Sequence, residues 1–122
     1  MAKGRFGKKL KEFRIRQDLT LREFCRRNQF DPGNYSRIES GAFSPPGEEK
    51  VRDYAKALGV EVGSSDYVEL MDLAHVDRGQ LPREFMDDDE VLDQLPVIFR
   101  AFRKEPLTDE ELEKFIDLVR KR

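Results

Sequence analysis

Apolar residues recur at three- and four-residue intervals along most of the chain, and no stretch shows a convincing two-residue alternation. The first spacing places apolar side chains on one face of a helix, whereas the second is typical of a strand. The pattern therefore predicts an all-α protein. Residues 4–17 show it clearly, since Phe6, Leu10 and Phe13 share one stripe of the first predicted helix.

Local signals bound the second and fourth predicted helices. Thr20, with Glu23 three residues later, forms a capping box that begins a second helix, which ends near Asn28. A Ser-Pro-Pro-Gly connector at residues 44–47 precedes a fourth amphipathic helix that Gly59 closes. Both helices are short.

The third predicted helix has the clearest boundaries. Asp31 is its expected N-cap, and Pro32 fits the first helical position, where a missing N–H costs nothing. Tyr35 and Ile38 are its inward residues. Gly41 suits the left-handed position just past the end of the helix.

The second half of the chain predicts three further helical segments. Ser65 is the expected cap of a fifth helix, and the acidic run at residues 87–90 begins a sixth, which Pro96 should kink or divide. Thr108 and Glu111 repeat the capping box before a last helix. The apolar stripe of that last helix comprises Leu112, Phe115, Ile116 and Val119.

Charge divides the 122 residues into two unlike halves. Residues 1–60 hold 14 basic and 8 acidic side chains, a net charge of +6, whereas residues 61–122 hold 9 and 17, a net charge of −8. A basic half suits a polyanion such as nucleic acid, which would repel the acidic half. No run has the length of a membrane span or the form of a signal peptide, so we expect a cytoplasmic protein.

Candidate chemistry is sparse. A single cysteine, Cys25, excludes an internal disulfide framework, and its place beside Phe24 favours core packing. A single histidine, His75, leaves no plausible metal site. It lies at the end of a predicted helix near Asp72 and Asp77, where a favourable charge at the helix C-terminus accounts for it without a ligand or a catalytic role. No catalytic constellation is present, so we expect no enzyme, no cofactor and no metal.

Two short helices joined by a tight turn inside a basic all-α unit form a helix-turn-helix. Over about residues 4–60 the sequence resembles the Xre family of helix-turn-helix regulators, the group of Cro and the lambda repressor. Three runs followed by Pro45 carry the resemblance: Phe6-Gly7-Lys8-Lys9-Leu10, Leu19-Thr20-Leu21-Arg22-Glu23-Phe24 and Tyr35-Ser36-Arg37-Ile38-Glu39-Ser40-Gly41.

This resemblance implies a lambda-repressor-like helix-turn-helix domain of four to five short helices, here followed by a C-terminal helical extension. It also implies a dimer on double-stranded DNA with two-fold symmetric sites, with the third helix, Pro32 to Ser40, in the major groove. The positions that match the family's DNA-binding slots are Thr20, Arg22, Pro32, Gly33, Asn34, Ser36, Arg37 and Ser40.

The expected roles of these residues differ. Arg37 is the best base reader, because a guanidinium gives two donors to a guanine. Asn34 and Ser40 look like phosphate contacts, and Thr20 resembles the family's phosphate clamp.

The sequence departs from the family at Leu21, Pro32 and Gly33, where many relatives have polar residues. Few side chains are therefore left to contact bases directly. We expect DNA-sequence specificity to depend on Arg37, on contact of Pro32 with a thymine methyl group, or on DNA shape. Arg14 and Glu39 resemble a structural ion pair of the family.

Two functions stay open from the sequence. The first is a dimeric repressor that binds DNA through residues 1–65 and uses the acidic helical extension, residues 66–122, for dimerisation or regulation. The second is a protein-interaction module such as an antitoxin or adaptor, whose acidic helices bind a partner protein. Either function uses the stripe Leu112, Phe115, Ile116 and Val119 as its interface.

Overall fold

A computed structural model describes residues 4–121, and within that range it contains α-helices and no strand. The predicted all-α class is confirmed. The chain divides after Gln80 into two compact units, of which the first contains α1 to α5 and the second α6 to α8. The helices are α1 Arg5–Arg16, α2 Leu21–Asn28, α3 Pro32–Ser40, α4 Glu48–Ala57, α5 Ser65–Arg78, α6 Arg83–Met86, α7 Asp89–Phe102 and α8 Asp109–Arg120.

Two of the predicted helix boundaries are confirmed by their capping bonds. The Asp31 carboxylate accepts a hydrogen bond from the Asn34 N–H (2.9 Å) at the start of α3, and Gly41 follows α3 with a φ of 84°, in the left-handed region. At α8, Thr108 Oγ1 accepts from the Glu111 N–H and the Glu111 carboxylate accepts from the Thr108 N–H, which completes the capping box. Short-range chemistry therefore determines where these helices begin or end.

The capping box predicted at α2 is only half present. Thr20 Oγ1 accepts from the Glu23 N–H at 3.1 Å, as expected. The Glu23 carboxylate instead forms ion pairs with Arg26 and Arg27, at 2.6 and 3.0 Å. The two guanidinium groups lie one turn further along the same helix and attract the carboxylate away from the cap.

Three details of the second half differ from the sequence prediction. Ser64, and not Ser65, caps α5 by accepting from the Tyr67 N–H. Pro96 lies inside α7 without dividing it, because a proline removes one backbone donor while the remaining bonds continue the helix. The one-turn helix α6, Arg83–Met86, is too short to produce a periodic pattern and was not predicted.

The first unit extends beyond residue 65, where the sequence placed the end of the DNA-binding domain. Helix α5 packs against α1 and α4, and its Leu70 is fully buried in their common core. Its Asp77 accepts a hydrogen bond from the Phe6 N–H at 2.9 Å, so α5 supplies a cap for the first turn of α1. The unit that carries α1 to α4 therefore includes α5 and ends at Gln80.

Four aromatic rings hold α2, α3 and α4 together. Phe24, Phe30, Tyr35 and Tyr54 have ring centroids 5.0 to 6.3 Å apart, in tilted, stacked and edge-to-face pairs. Burial raises the pKa of the Tyr35 phenol, and the nearby Glu39 carboxylate raises it further. This cluster fixes the inward side of α3 and hence which of its residues face outward.

Helix α1 crosses α3 at unusually close range. A Cβ atom added to Gly7 would lie 2.3 Å from the Glu39 carbonyl oxygen and 2.5 Å from that of Ile38. These are backbone atoms that cannot move aside without displacing α3. Glycine is therefore required at this crossing.

A buried ion pair joins α1 to α3 beside this crossing. Arg14 Nε donates to Glu39 Oε2 at 3.0 Å and Arg14 Nη2 donates to Glu39 Oε1 at 2.7 Å. Arg14 Nη1 also donates to the Leu19 carbonyl oxygen at 2.8 Å, in the turn before α2. The two side chains are 9% and 6% exposed, and their hydrogen bonds raise the pKa of Arg14.

We expect Glu39→Ala to lower the free energy of unfolding by about 3–5 kcal/mol, because it leaves the Arg14 guanidinium buried without its counter-charge. Urea denaturation followed by circular dichroism measures the change. Glu23→Ala is the matched control, since its ion pairs lie at the surface, where solvent screens them and they contribute little to stability. Equal stability of the two variants would contradict the structural weight assigned to the Arg14–Glu39 pair.

Candidate nucleic-acid interface

Helices α2 and α3 form a helix-turn-helix within the first unit. The turn between them contains Gln29, whose φ of 58° is left-handed, and the Phe30 N–H donates to the Cys25 carbonyl oxygen at 3.0 Å. Tyr35 and Ile38 bury the inner face of α3. The opposite face of α3 is consequently directed to solvent.

The structure places every sequence-predicted DNA-binding residue on the exposed surface. The eight residues lie on two adjoining elements, the start of α2 and the outward face of α3. They are Thr20, Arg22, Pro32, Gly33, Asn34, Ser36, Arg37 and Ser40. Their DNA contacts stay a prediction, but none of these side chains is taken up by the core.

The start of α2 presents hydrogen-bond donors. Thr20 Oγ1 uses its lone pair to accept from the Glu23 N–H, and its own proton is left to donate to an anion. The first backbone N–H groups of α2 and the positive end of its dipole lie next to that hydroxyl. This end of α2 suits a phosphate oxygen.

Arg37 and Arg22 are available cations of this surface. Both are exposed, and neither takes part in the ion pairs found within residues 4–121. Arg26 and Arg27, on the same helix as Arg22, are instead paired with Glu23. The basic charge available at α2 is therefore smaller than its sequence suggests.

The Ser40 hydroxyl, a predicted phosphate contact, forms hydrogen bonds within its own loop. Its hydroxyl donates to the Arg37 carbonyl oxygen at 3.1 Å and accepts from the Ala42 N–H at 3.3 Å. Because the hydroxyl has one proton, a phosphate contact through Ser40 would have to replace the bond to Arg37. Its position at the last turn of a helix before a glycine favours such local bonds.

The sequence analysis missed Phe43 as a residue of this surface. Phe43 is 45% exposed, and its ring centroid lies 5.6 Å from the guanidinium carbon of Arg37. The available signal was an aromatic residue in a loop of small and polar residues directly after α3. Helical periodicity does not extend to such a loop, so it could not predict whether Phe43 faces the core or the solvent.

The two residues considered for other chemistry are both buried. Burial raises the pKa of the Cys25 thiol, which keeps it protonated in the core. His75 has its ring nitrogens 2.9 Å from the Met71 carbonyl oxygen and 2.9 Å from a Glu48 carboxylate oxygen. His75 lies in the last turn of α5, as predicted, and its contact with Glu48 of α4 adds an interaction between the two helices that the sequence did not indicate.

The predicted interface stripe of α8 is exposed. Leu112, Phe115, Ile116 and Val119 all remain accessible, as do Phe99 and Phe102 on α7. An ion pair between Arg100 and Glu111 joins α7 to α8. Leu118, to which the sequence pattern gave no role, is the one buried residue among the described residues of the second unit, and it is still 8% exposed.

Two searches for other features were negative within the described residues. No group of three or more His, Cys, Asp or Glu side chains in residues 4–121 is arranged to hold a metal ion. None of the helices in that range combines the length and the apolar character needed to cross a membrane.

Comparison with known proteins agrees with this geometry. Neither the curated proteins nor the solved structures gave a significant match to the chain. The model of a family described as a helix-turn-helix domain matches residues 5–66, just over half of the chain, and so spans α1 to α4 and the first residues of α5. The chain therefore belongs to the helix-turn-helix domain family.

Proposed function

We propose that the protein is a sequence-specific DNA-binding transcriptional regulator of the Xre type, which acts as a dimeric repressor. The observation that carries this proposal is the outward face of α3. It presents Arg37, which forms no ion pair in the described structure, and the same helix-turn-helix exposes the donor-rich start of α2. In the proposed complex α3 lies in the major groove.

Base recognition in this proposal depends on few side chains. Arg37 donates to the O6 and N7 atoms of a guanine, and Ser36 on the same exposed face adds a donor or acceptor. Pro32 contacts a thymine methyl group. Gly33 contributes no side chain, so DNA shape supplies the remaining specificity.

Phosphate contacts orient the domain on the duplex. Thr20 and the N-terminal amides of α2 hold one phosphate, while Arg22 and Asn34 contact others at the edge of the groove. The net charge of +6 on residues 1–60 draws this side of the protein to DNA. Binding should therefore weaken steeply as salt concentration rises.

The second unit supports dimerisation. A unit of this size buries too little apolar surface to be stable alone, and here Leu118 is its one buried residue in the described range. A second copy that covers Phe115 and Ile116 would bury the exposed stripe of α8. The dimer then places two α3 helices on half-sites about 34–36 Å apart.

The same exposed stripe favours a second candidate function. A partner protein with an apolar groove could cover α8 in place of a second copy. The protein would then act as an antitoxin or adaptor, with DNA binding as a secondary property. Its acidic second half would favour a basic rim on that partner.

Selection from a pool of random duplexes tests the proposed function. The full chain is taken through several rounds of selection, and the enriched duplex is then titrated by fluorescence anisotropy at two salt concentrations. We expect a two-fold symmetric site that binds far more tightly than bulk DNA. Weak binding that selects no sequence and collapses with salt would contradict a sequence-specific regulator.

We expect Arg37→Ala to weaken binding to the selected site by about 1–3 kcal/mol, because it removes the two donors to guanine. Its Tm should stay close to that of the wild type, since Arg37 is exposed and unpaired. Lys114→Ala, which removes the same charge from the second unit, is the control. Equal affinity of Arg37→Ala and wild type would exclude Arg37 from the readout.

The double variant Phe115→Asp, Ile116→Asp should convert a dimer into a monomer, because four charges would face one another across the proposed interface. Light scattering measures the mass, and circular dichroism checks that the helices remain. Val76→Asp, on an exposed position of α5, is the matched control. A dimer that survives the double change but is lost with Val76→Asp would place the interface on α5.

A further inference from the structure

An exposed phenylalanine accompanies the arginine of the proposed base contact. Phe43 lies just beyond α3, and its ring centroid is 5.6 Å from the guanidinium carbon of Arg37, within the range of a cation–π contact. Nearly half of the Phe43 side chain remains open to solvent. Phe43 does not belong to the buried core of the first unit.

Backbone bonds fix the position of that ring relative to α3. The left-handed Gly41 turns the chain at the end of α3, and the Phe43 N–H donates to the carbonyl oxygen of Arg37 at 3.0 Å. Ser40 adds bonds to Arg37 and to Ala42 in the same loop. Phe43 is thus tied to Arg37 through its backbone as well as through its side chain.

Gly33, one turn before Arg37 on α3, leaves room for the arginine side chain. A Cβ atom at Gly33 would lie 3.2 Å from Nη1 of Arg37, so the guanidinium extends back along α3 by about one turn. The Asp31 carboxylate caps Asn34, and its Oδ2 atom lies 3.4 Å from the same Cβ position, yet no ion pair between Asp31 and Arg37 is found within residues 4–121. The charge of Arg37 therefore stays available above the first turn of α3.

We propose that Phe43 is a positioning residue for base recognition: it holds the Arg37 guanidinium over Gly33, where the first turn of α3 would meet a base pair. The inference rests on the proposed function, because it assigns a residue that determines how specific the Arg37 contact is. A long arginine side chain loses rotamer freedom when it binds, and a ring that restrains it beforehand reduces that loss.

This arrangement predicts a selective defect. Phe43→Ala should reduce affinity for the selected duplex roughly two- to five-fold, the range expected for one cation–π contact at an exposed site. This loss of affinity should come from weaker recognition of the guanine that Arg37 contacts. Phosphate contacts that do not involve Arg37 should be unaffected.

The experiment uses the full chain and the selected duplex, with each guanine in turn replaced by 7-deazaguanine, which lacks the N7 acceptor. The guanine that Arg37 contacts is the one whose replacement no longer weakens binding in Arg37→Ala. In the wild type this replacement should cost roughly five-fold or more in affinity. In Phe43→Ala the same replacement should weaken binding much less, with a fold-change close to one. Phe43→Tyr, which keeps the ring, should show the wild-type loss again.

Two controls separate positioning from other roles of Phe43. In the Arg37→Ala background, Phe43→Ala should cause no further loss; a further loss as large as in the wild type would mean that the ring contacts DNA directly, and would overturn the proposal. Val62→Ala removes an exposed apolar side chain elsewhere in the first unit and should leave the 7-deazaguanine cost unchanged.

A measurement on the free protein makes failure of this inference distinguishable from failure of the proposed function. Ring-current shifts of the Arg37 side-chain protons, lost in Phe43→Leu, report the contact without DNA. If these shifts are present and the wild type selects no DNA sequence, the proposed function fails and the inference fails with it. If the wild type selects a site and Phe43→Ala keeps the full 7-deazaguanine cost, the inference alone is wrong.

Discussion

The bidentate ion pair between Arg14 and Glu39 is the interaction on which the rest of the first unit depends. Two charges are stable in this buried position only because each satisfies the other, and Arg14 additionally binds the carbonyl oxygen of Leu19. One side chain thereby joins α1, α3 and the turn that begins α2. The contact at Gly7, where only glycine fits, brings the backbones of the same two helices close together. The exposed face of α3 has its orientation because these contacts and the aromatic cluster bind its opposite face.

The two units solve the problem of apolar burial in different ways. The first places its aromatic rings and aliphatic side chains in a common core and uses α5 to complete it. The second leaves Phe102 and the α8 stripe in contact with solvent, although α7 and α8 both begin with a side-chain cap. Capping stabilises individual helices, but it does not remove apolar surface from water. The physical argument for a second copy or a partner protein rests on that difference.

Much of the candidate DNA-binding surface could be predicted from sequence because its placement follows from one helix. Once Tyr35 and Ile38 face inward, helical geometry turns Ser36 and Arg37 outward. Helical geometry could not predict which contacts each side chain of this surface makes. Ser40 uses its proton within its own loop, and Phe43 lies against Arg37 because of a turn whose path no periodicity describes.

The sequence by itself determined the helical class, most helix boundaries and the inward face of each helix in the first unit. Those features depend on residues within about four positions of one another, as with Asp31 and Asn34 or Thr108 and Glu111. Only the tertiary structure decided that Asp77 caps α1 from the far end of α5 and that the first unit consequently continues to Gln80. A cap supplied across 71 positions has no local signal, because it exists only once α5 has packed against α1.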